Sequence, residues 1–234
     1  MLLEPSEAAL ALNVDEKTMA RWIKKDKLPA ELVQGDYRIN PVDLLEWATE
    51  RGIKVHPSLY KMPDADNCAL PSLSQALQAG GIHCGFPGDD KETVLRNTVK
   101  ILDLPAEIDP DFILQVLLAR EAMGTTAVGD GIAIPHVRNP ILVHLPIPKI
   151  ALCFLAQPID FGAVDGKPVQ ILFTIISPTI RMHLHLLSKL AYCLRDQRLR
   201  DILGKQCNAE AIMAAVTEIE RDISGTHTHT RISN

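Results

Sequence analysis

In the run Gly129-Asp-Gly-Ile-Ala-Ile-Pro-His136-Val-Arg138, a histidine ends a short apolar stretch, directly after a proline and behind a Gly-Asp-Gly turn. Arg120 lies sixteen residues upstream, in Arg120-Glu-Ala-Met-Gly-Thr-Thr126, and Met182-His183-Leu-His185-Leu-Leu-Ser-Lys-Leu190 follows downstream. A lone histidine after a strand is usually structural. Here the glycines permit close backbone approach and the proline stiffens the segment, so an imidazole is presented at a strand end. Two histidines and an arginine that converge suit one chemistry well, a phosphoryl group carried on a ring nitrogen. That chemistry needs a nucleophile, positioning, and positive charge around the phosphoryl oxygens. His136 is the candidate nucleophile and Arg120 the bidentate partner for the oxygens. His183 and His185 stand two apart, so on a helix they face different ways and only one joins His136. Thr125 and Thr126 supply either hydroxyls or loop backbone.

Three histidines also raise a metal-dependent hydrolase as a reading, but no carboxylate pattern such as H-E-x-x-H accompanies them. The tail Thr226-His-Thr-His-Thr230 reads as a polar end, and no metal is expected. There is no P-loop, so neither a nucleotide nor Mg²⁺ is implied, and no cofactor is expected.

The elements around these residues alternate between helix and strand. A short helix at Ser74–Ala79 precedes a strand at Ile82–Phe86. Asp89-Asp-Lys-Glu92 reads as a capping box opening a helix to about Leu102, and Asp109-Pro110 opens another to about Ala122. Thr126–Val128 and Gly131–Pro135 are short strands around the Gly-Asp-Gly turn. Lys149–Ala156 and Val169–Ser177 are near-continuous apolar runs, the pattern of strands covered on both faces. A helix from about Arg181 to Arg195 carries the His-Leu-His motif, and Asn208 caps a last helix to about Arg221. The expected architecture is an α+β three-layer (α/β/α) domain with a mixed sheet.

The first part of the chain has a different organisation. Ser6–Leu12 reads as a helix, Asn13-Val14 as a turn, and Asp15 as the N-cap of a second helix running to about Lys25. Gln34-Gly-Asp36 joins two short strands, and Asn40-Pro41 opens a third helix that Gly52 ends. These are the parts of a small winged helix-turn-helix. On the second helix Met19, Trp22 and Ile23 form the apolar side, while Lys17, Thr18, Arg21 and Lys25 fall on the other. Cations there can meet phosphates, Arg21 can reach guanine, and Arg38 on the wing can add a backbone contact. The domain limits read as 1–54 for this unit, 55–72 for a proline-rich linker, 73–222 for the histidine-bearing domain and 223–234 for a polar tail.

The 234 residues are enough for two domains, and a hydrophobic content of 47% supports real cores. Only 4% of residues are aromatic, so those cores must be aliphatic. A net charge of −5 gives no global attraction to nucleic acid. Within residues 1–54, eight Lys and Arg stand against ten Asp and Glu. A single copy should therefore bind DNA weakly, and a homodimer would present two recognition helices. The five cysteines are odd in number and include no C-x-x-C pair, so neither a disulfide framework nor a zinc site is expected. No signal peptide and no membrane-length apolar run is present, which places the protein in the cytoplasm.

Arg120-Glu-Ala-Met-Gly, Gly131-Ile-Ala-Ile-Pro-His136, Pro158-Ile-Asp-Phe161, Asp165-Gly-Lys-Pro-Val169 and His183-Leu-His-Leu-Leu187 together resemble the enzyme IIA domain of the bacterial phosphotransferase system. The likeness is to the mannitol/fructose type and its nitrogen-regulatory relatives. It implies that His136 accepts a phosphoryl group, on the nitrogen far from the backbone, from an HPr-like phosphocarrier. It selects His183 as the second histidine and leaves His185 as a neighbour or core residue. Val137 and Arg138 depart from the family pattern: the first could narrow access and the second could add positive charge. Over its first 50 residues the chain resembles the excisionase/MerR-type DNA-binding family, in Ser6-Glu-Ala-Ala, Arg21-Trp-Ile-Lys-Lys25, Leu28-Pro29, Tyr37-Arg-Ile39 and Asp43-Leu-Leu-Glu-Trp47. Asp26 stands where that family usually has glycine. Together the resemblances imply a phosphorylation-responsive transcriptional regulator. The competing expectation is a constitutive DNA-binding or protein-interaction module whose IIA-like domain serves only for dimerisation.

Overall fold

The structure is a computed structural model and describes residues 2–33, 35–51, 53, 55–56, 70–137, 145–205 and 207–226. The chain divides into two compact units, 1–68 and 69–234.

In the first unit, α1 (Pro5–Ala11) and α2 (Glu16–Lys24) are followed by a two-stranded antiparallel wing, β1 (Glu31–Val33) and β2 (Asp36–Arg38), and by α3 (Pro41–Glu50). Local chemistry sets the turn between the first two helices. Asn13 takes a left-handed φ of 52°, a conformation asparagine tolerates better than most residues. The Asp15 carboxylate then caps α2 by accepting from the Thr18 amide at 2.7 Å. Met19 is buried, and Trp22 lies against Trp47 of α3 with ring centroids 5.0 Å apart. The Trp47 indole donates to the Asp26 carbonyl at 3.3 Å, so Trp47 is a packing residue. An antiparallel bridge between Leu3 and Ile39 ties the start of the chain to the end of the wing.

The second unit contains α4 (Leu73–Gly80), β3 (Ile82–Phe86), α5 (Lys91–Ile101), α6 (Pro110–Ala122), β4 (Ala127–Gly129), β5 (Ile132–Ala133), β6 (Lys149–Ile159), β7 (Val169–Ile176), α7 (Ile180–Cys193), α8 (Gln197–Lys205) and α9 (Ala209–Thr226). The sheet runs β3-β6-β7-β5-β4. Strands β3 and β6 are parallel, β6 and β7 antiparallel, β7 and β5 parallel, and β5 and β4 antiparallel, which makes the expected mixed sheet. Period-two alternation assigns its two faces. Ala151, Cys153, Leu172 and Ile176 pack in one core with Val94, Leu95 and Val99 of α5 and Ile113, Leu114 and Leu117 of α6. The other face meets α4 and α7, and α9 packs on both of those helices. Helix α4 lies so close to β6 that a Cβ on Gly80 would collide with the Ile150 backbone.

Several expectations change in detail. Helix α5 is capped by Asp90, and α7 starts one residue early under a Thr179 cap. Helix α9 continues to Thr226, past residue 222. Helix α8 is not among the expected elements; its sequence signal is Leu199 and Leu203, buried one turn apart. Cys84 and Cys207 form a disulfide, contrary to the reading of the cysteines. The two lie 123 residues apart in sequence with Cα atoms 5.7 Å apart, a proximity that cysteine spacing does not encode.

Candidate active site

His136 emerges from the end of a strand. The turn Gly129-Asp130-Gly131 has φ values of 90°, 52° and 74° in succession, which its two glycines supply without steric penalty and aspartate tolerates better than most residues. Asp130 at its tip is held by Lys167 at 2.8 Å and Arg200 at 3.4 Å. The Lys167 hydrogen bond and charge keep the Asp130 carboxyl below the usual carboxylate range. Past β5 the chain continues alongside β7: the Ile175 amide donates to the Pro135 carbonyl at 2.9 Å, and His136 bridges Ile175 in parallel.

His136 is 3% exposed. Its Nδ1 lies 2.7 Å from the Ile134 carbonyl oxygen. A carbonyl only accepts, so Nδ1 carries the proton, and in the neutral ring Nε2 is the nitrogen left with an in-plane lone pair. The next residue, Val137, packs into the core with α5 and α6. Arg138 and His144 lie outside the described residues.

His183 approaches from α7. It sits in the first turns of that helix, where the backbone dipole is positive, and its amide donates to the Thr179 carbonyl at 3.0 Å. The ring is fully buried, with its centroid 5.2 Å from that of His136 and the planes 40° apart. The two histidines are therefore within one phosphoryl group of each other. His185, two residues on, faces elsewhere: its Nε2 is 3.1 Å from the Pro71 carbonyl. Burial, with the Lys189 ammonium adding, lowers its pKa below the ordinary histidine range.

Arg120 occupies the last turn of α6, where a guanidinium also complements the helix dipole. Its Nη1 donates to the Gly124 carbonyl at 2.9 Å, which braces the loop leading into β4. The loop threonines are committed to structure. Thr125 donates to the Phe161 carbonyl at 2.8 Å, and Thr126 donates to the buried Glu121 carboxylate at 2.6 Å. Glu121 also accepts from Lys91 at 3.1 Å. Sequence reasoning did not single out this Glu121–Lys91–Thr126 group, because its members come from α6, α5 and the loop before β4. Among the described residues no group of three or more His, Cys, Asp or Glu is arranged to hold a metal ion.

In the first unit, Lys17, Arg21 and Lys25 of the α2 region are exposed and Thr18 is half-buried at the Asp15 cap. Arg21 forms an open ion pair with Asp26 at 3.8 Å. Arg38 on the wing pairs with Glu4 at 3.2 Å. Two cations named as nucleic-acid contacts thus have carboxylate neighbours. No helix among the described residues is long and apolar enough to cross a membrane.

Residues 76–219 match the family model for the phosphoenolpyruvate-dependent sugar phosphotransferase system, EIIA 2. Residues 2–52 match a helix-turn-helix domain model. The nitrogen regulatory protein of Pseudomonas aeruginosa is 37% identical over 152 residues, covering 63% of this chain and 96% of that protein. The nitrogen regulatory protein of Bradyrhizobium diazoefficiens is 41% identical over 159 residues, covering 66% and 95%. Among solved structures, nitrogen regulatory protein IIA-Ntr of Neisseria meningitidis superposes with a TM-score of 0.54 at 27% identity, covering 62% of this chain and 98% of that one. The chain therefore belongs to the EIIA 2 family of the phosphoenolpyruvate-dependent sugar phosphotransferase system and carries a helix-turn-helix domain ahead of its IIA domain.

Proposed function

We propose that the protein is a phosphorylation-responsive transcriptional regulator in which His136 accepts a phosphoryl group from an HPr-like phosphohistidine donor. The observation that carries this reading is the pairing of His136 with His183 at 5.2 Å, with the His136 Nδ1 proton engaged by the Ile134 carbonyl. In the transfer step the Nε2 lone pair attacks phosphorus. The new N–P bond forms as the donor's N–P bond breaks, and the donor imidazole leaves with that electron pair. His183 donates a hydrogen bond to the equatorial oxygens from the positive end of α7, and Arg120 supplies a guanidinium to the same group. The phosphorylated histidine then alters the DNA-binding or partner-binding state through its added negative charge. Lys17, Thr18, Arg21 and Lys25 on the second helix, with Arg38 on the wing, form the DNA contact. Two copies of the chain present two such helices to two half-sites. Similarity to proteins named nitrogen regulatory protein favours regulation over sugar uptake.

The test is incubation of the full chain with a phosphorylated HPr-type donor. Acid-labile, base-stable phosphate should appear on the wild type and be absent from His136→Ala. Equal labelling of both proteins would identify a different acceptor. No labelling of either would leave the constitutive DNA-binding or protein-interaction reading, with the IIA domain serving for dimerisation.

A further inference from the structure

We propose that α7 relays the phosphorylation state of His136 to residues 71–74, where the chain enters the second unit. This rests on His136 being the phosphoryl acceptor.

The relay is built from the two sides of one helix. At 100° per residue, His183 and His185 point roughly opposite ways around the α7 axis. His183 meets the His136 ring, while His185 donates through Nε2 to the Pro71 carbonyl at 3.1 Å. One turn beyond His185, Lys189 binds the Glu220 carboxylate at 2.7 Å. That carboxylate is nearly buried and continues the chain of contacts. It accepts from the Leu73 amide at 2.8 Å, the Ser74 amide at 3.0 Å and the Ser74 hydroxyl at 2.9 Å. Leu73 and Ser74 form the first turn of α4, whose amides have no partner within the helix. Glu220 therefore completes the N-terminus of α4 from a distant part of the sequence. The first anchor, His185 on Pro71, is held by α7 directly, and the second, Glu220 of α9 on Leu73 and Ser74, is tied to α7 through Lys189.

A phosphoryl group on His136 places roughly two negative charges beside His183 and the positive end of α7. The attraction draws the first turns of α7 toward His136. Because His185 and Lys189 lie on the far side of the same rigid helix, that movement lengthens their bonds to Pro71 and Glu220. Phosphorylation loosens residues 71–74, the segment through which a change in the second unit reaches the chain leading back to the helix-turn-helix domain.

Amide hydrogen exchange on the full chain, read on peptides covering residues 70–76, tests this with and without phosphorylation by an HPr-type donor. Exchange at Leu73 and Ser74 should rise at least about fivefold on phosphorylation, the lower end of ordinary coupling between sites. In His185→Leu and in Lys189→Met, phosphate should still load on His136. The unphosphorylated segment should already exchange faster, and the response to phosphorylation should shrink toward none. Unchanged exchange in wild type with His136 fully phosphorylated would overturn the relay while leaving the acceptor reading intact. So would a full response in both variants. Absence of phosphate on His136 would overturn both.

Discussion

Replacing His183 with alanine should slow phosphoryl transfer to His136 by about two orders of magnitude without abolishing it. The two rings are 5.2 Å apart between centroids. A hydrogen bond from a His183 ring N–H to a charged phosphoryl oxygen contributes up to about 3 kcal/mol. Each 1.4 kcal/mol, roughly, is a factor of ten in rate, so losing the whole term slows transfer about a hundredfold. Because His183 is fully buried, alanine also leaves a void that lowers stability by roughly 2–4 kcal/mol. The rate is therefore measured by rapid-quench labelling at a temperature where circular dichroism shows the variant folded. His183→Gln, which keeps a hydrogen-bond donor and fills most of the space, should fall between wild type and alanine. A folded His183→Ala that transfers within about threefold of wild type would refute the electrostatic role, since so small a change is well under 1 kcal/mol. A loss as complete as that of His136→Ala would move the acceptor to His183.

Glu220→Gln should destabilise the second unit by roughly 3 kcal/mol, because two of the four donors now face an amide NH₂ and Lys189 loses its counter-charge. Burial opposes ionisation of Glu220, but the Lys189, Leu73 and Ser74 hydrogen bonds outweigh it and hold its pKa below 4.5. Its contribution is thus full above that pH and fades as pH falls through the lower folded value. Urea melts of Glu220→Gln should accordingly lack that part of the acid dependence, and identical acid slopes would contradict the assignment. Arg21→Ala and Lys25→Ala should each lower the magnitude of the DNA-binding salt slope by about one unit. The Arg21–Asp26 pair is too exposed to prevent this, being worth at most about 1 kcal/mol. Salt-independent retention on duplex DNA, or none at low ionic strength, would place the first unit among protein-interaction modules. Reducing the Cys84–Cys207 bond should lower unfolding stability by roughly 2–4 kcal/mol through the long loop it closes. Burial pushes the Cys153 and Cys193 thiols up to about 12, so neither competes in exchange. Superimposable denaturation curves for oxidised and reduced protein would refute a stabilising role.

Much of the molecule was legible in the one-dimensional pattern because its determinants are local. The Asp15, Asp90 and Asp109 caps act on amides two or three residues away. The apolar runs at β6 and β7 announce a sheet covered on both faces. Gly129 and Gly131 place a tight turn before His136 whatever the rest of the chain does. The choice between His183 and His185 was different in kind: spacing shows that the two diverge around a helix, whereas which one meets His136 depends on how α7 lies against β7. The commitment of Thr125 and Thr126 to Phe161 and Glu121, the Cys84–Cys207 bond and the role of Glu220 were likewise decided only by packing. Each joins residues from 5 to 147 positions apart that belong to different elements, and only the layered packing of helices on the sheet brings them within bonding distance. Sequence by itself determined which chemical groups are available and the elements that carry them. Tertiary structure decided which groups face one another, because hydrogen bonds and charge act over a few ångströms and the chain's own order carries no such distances.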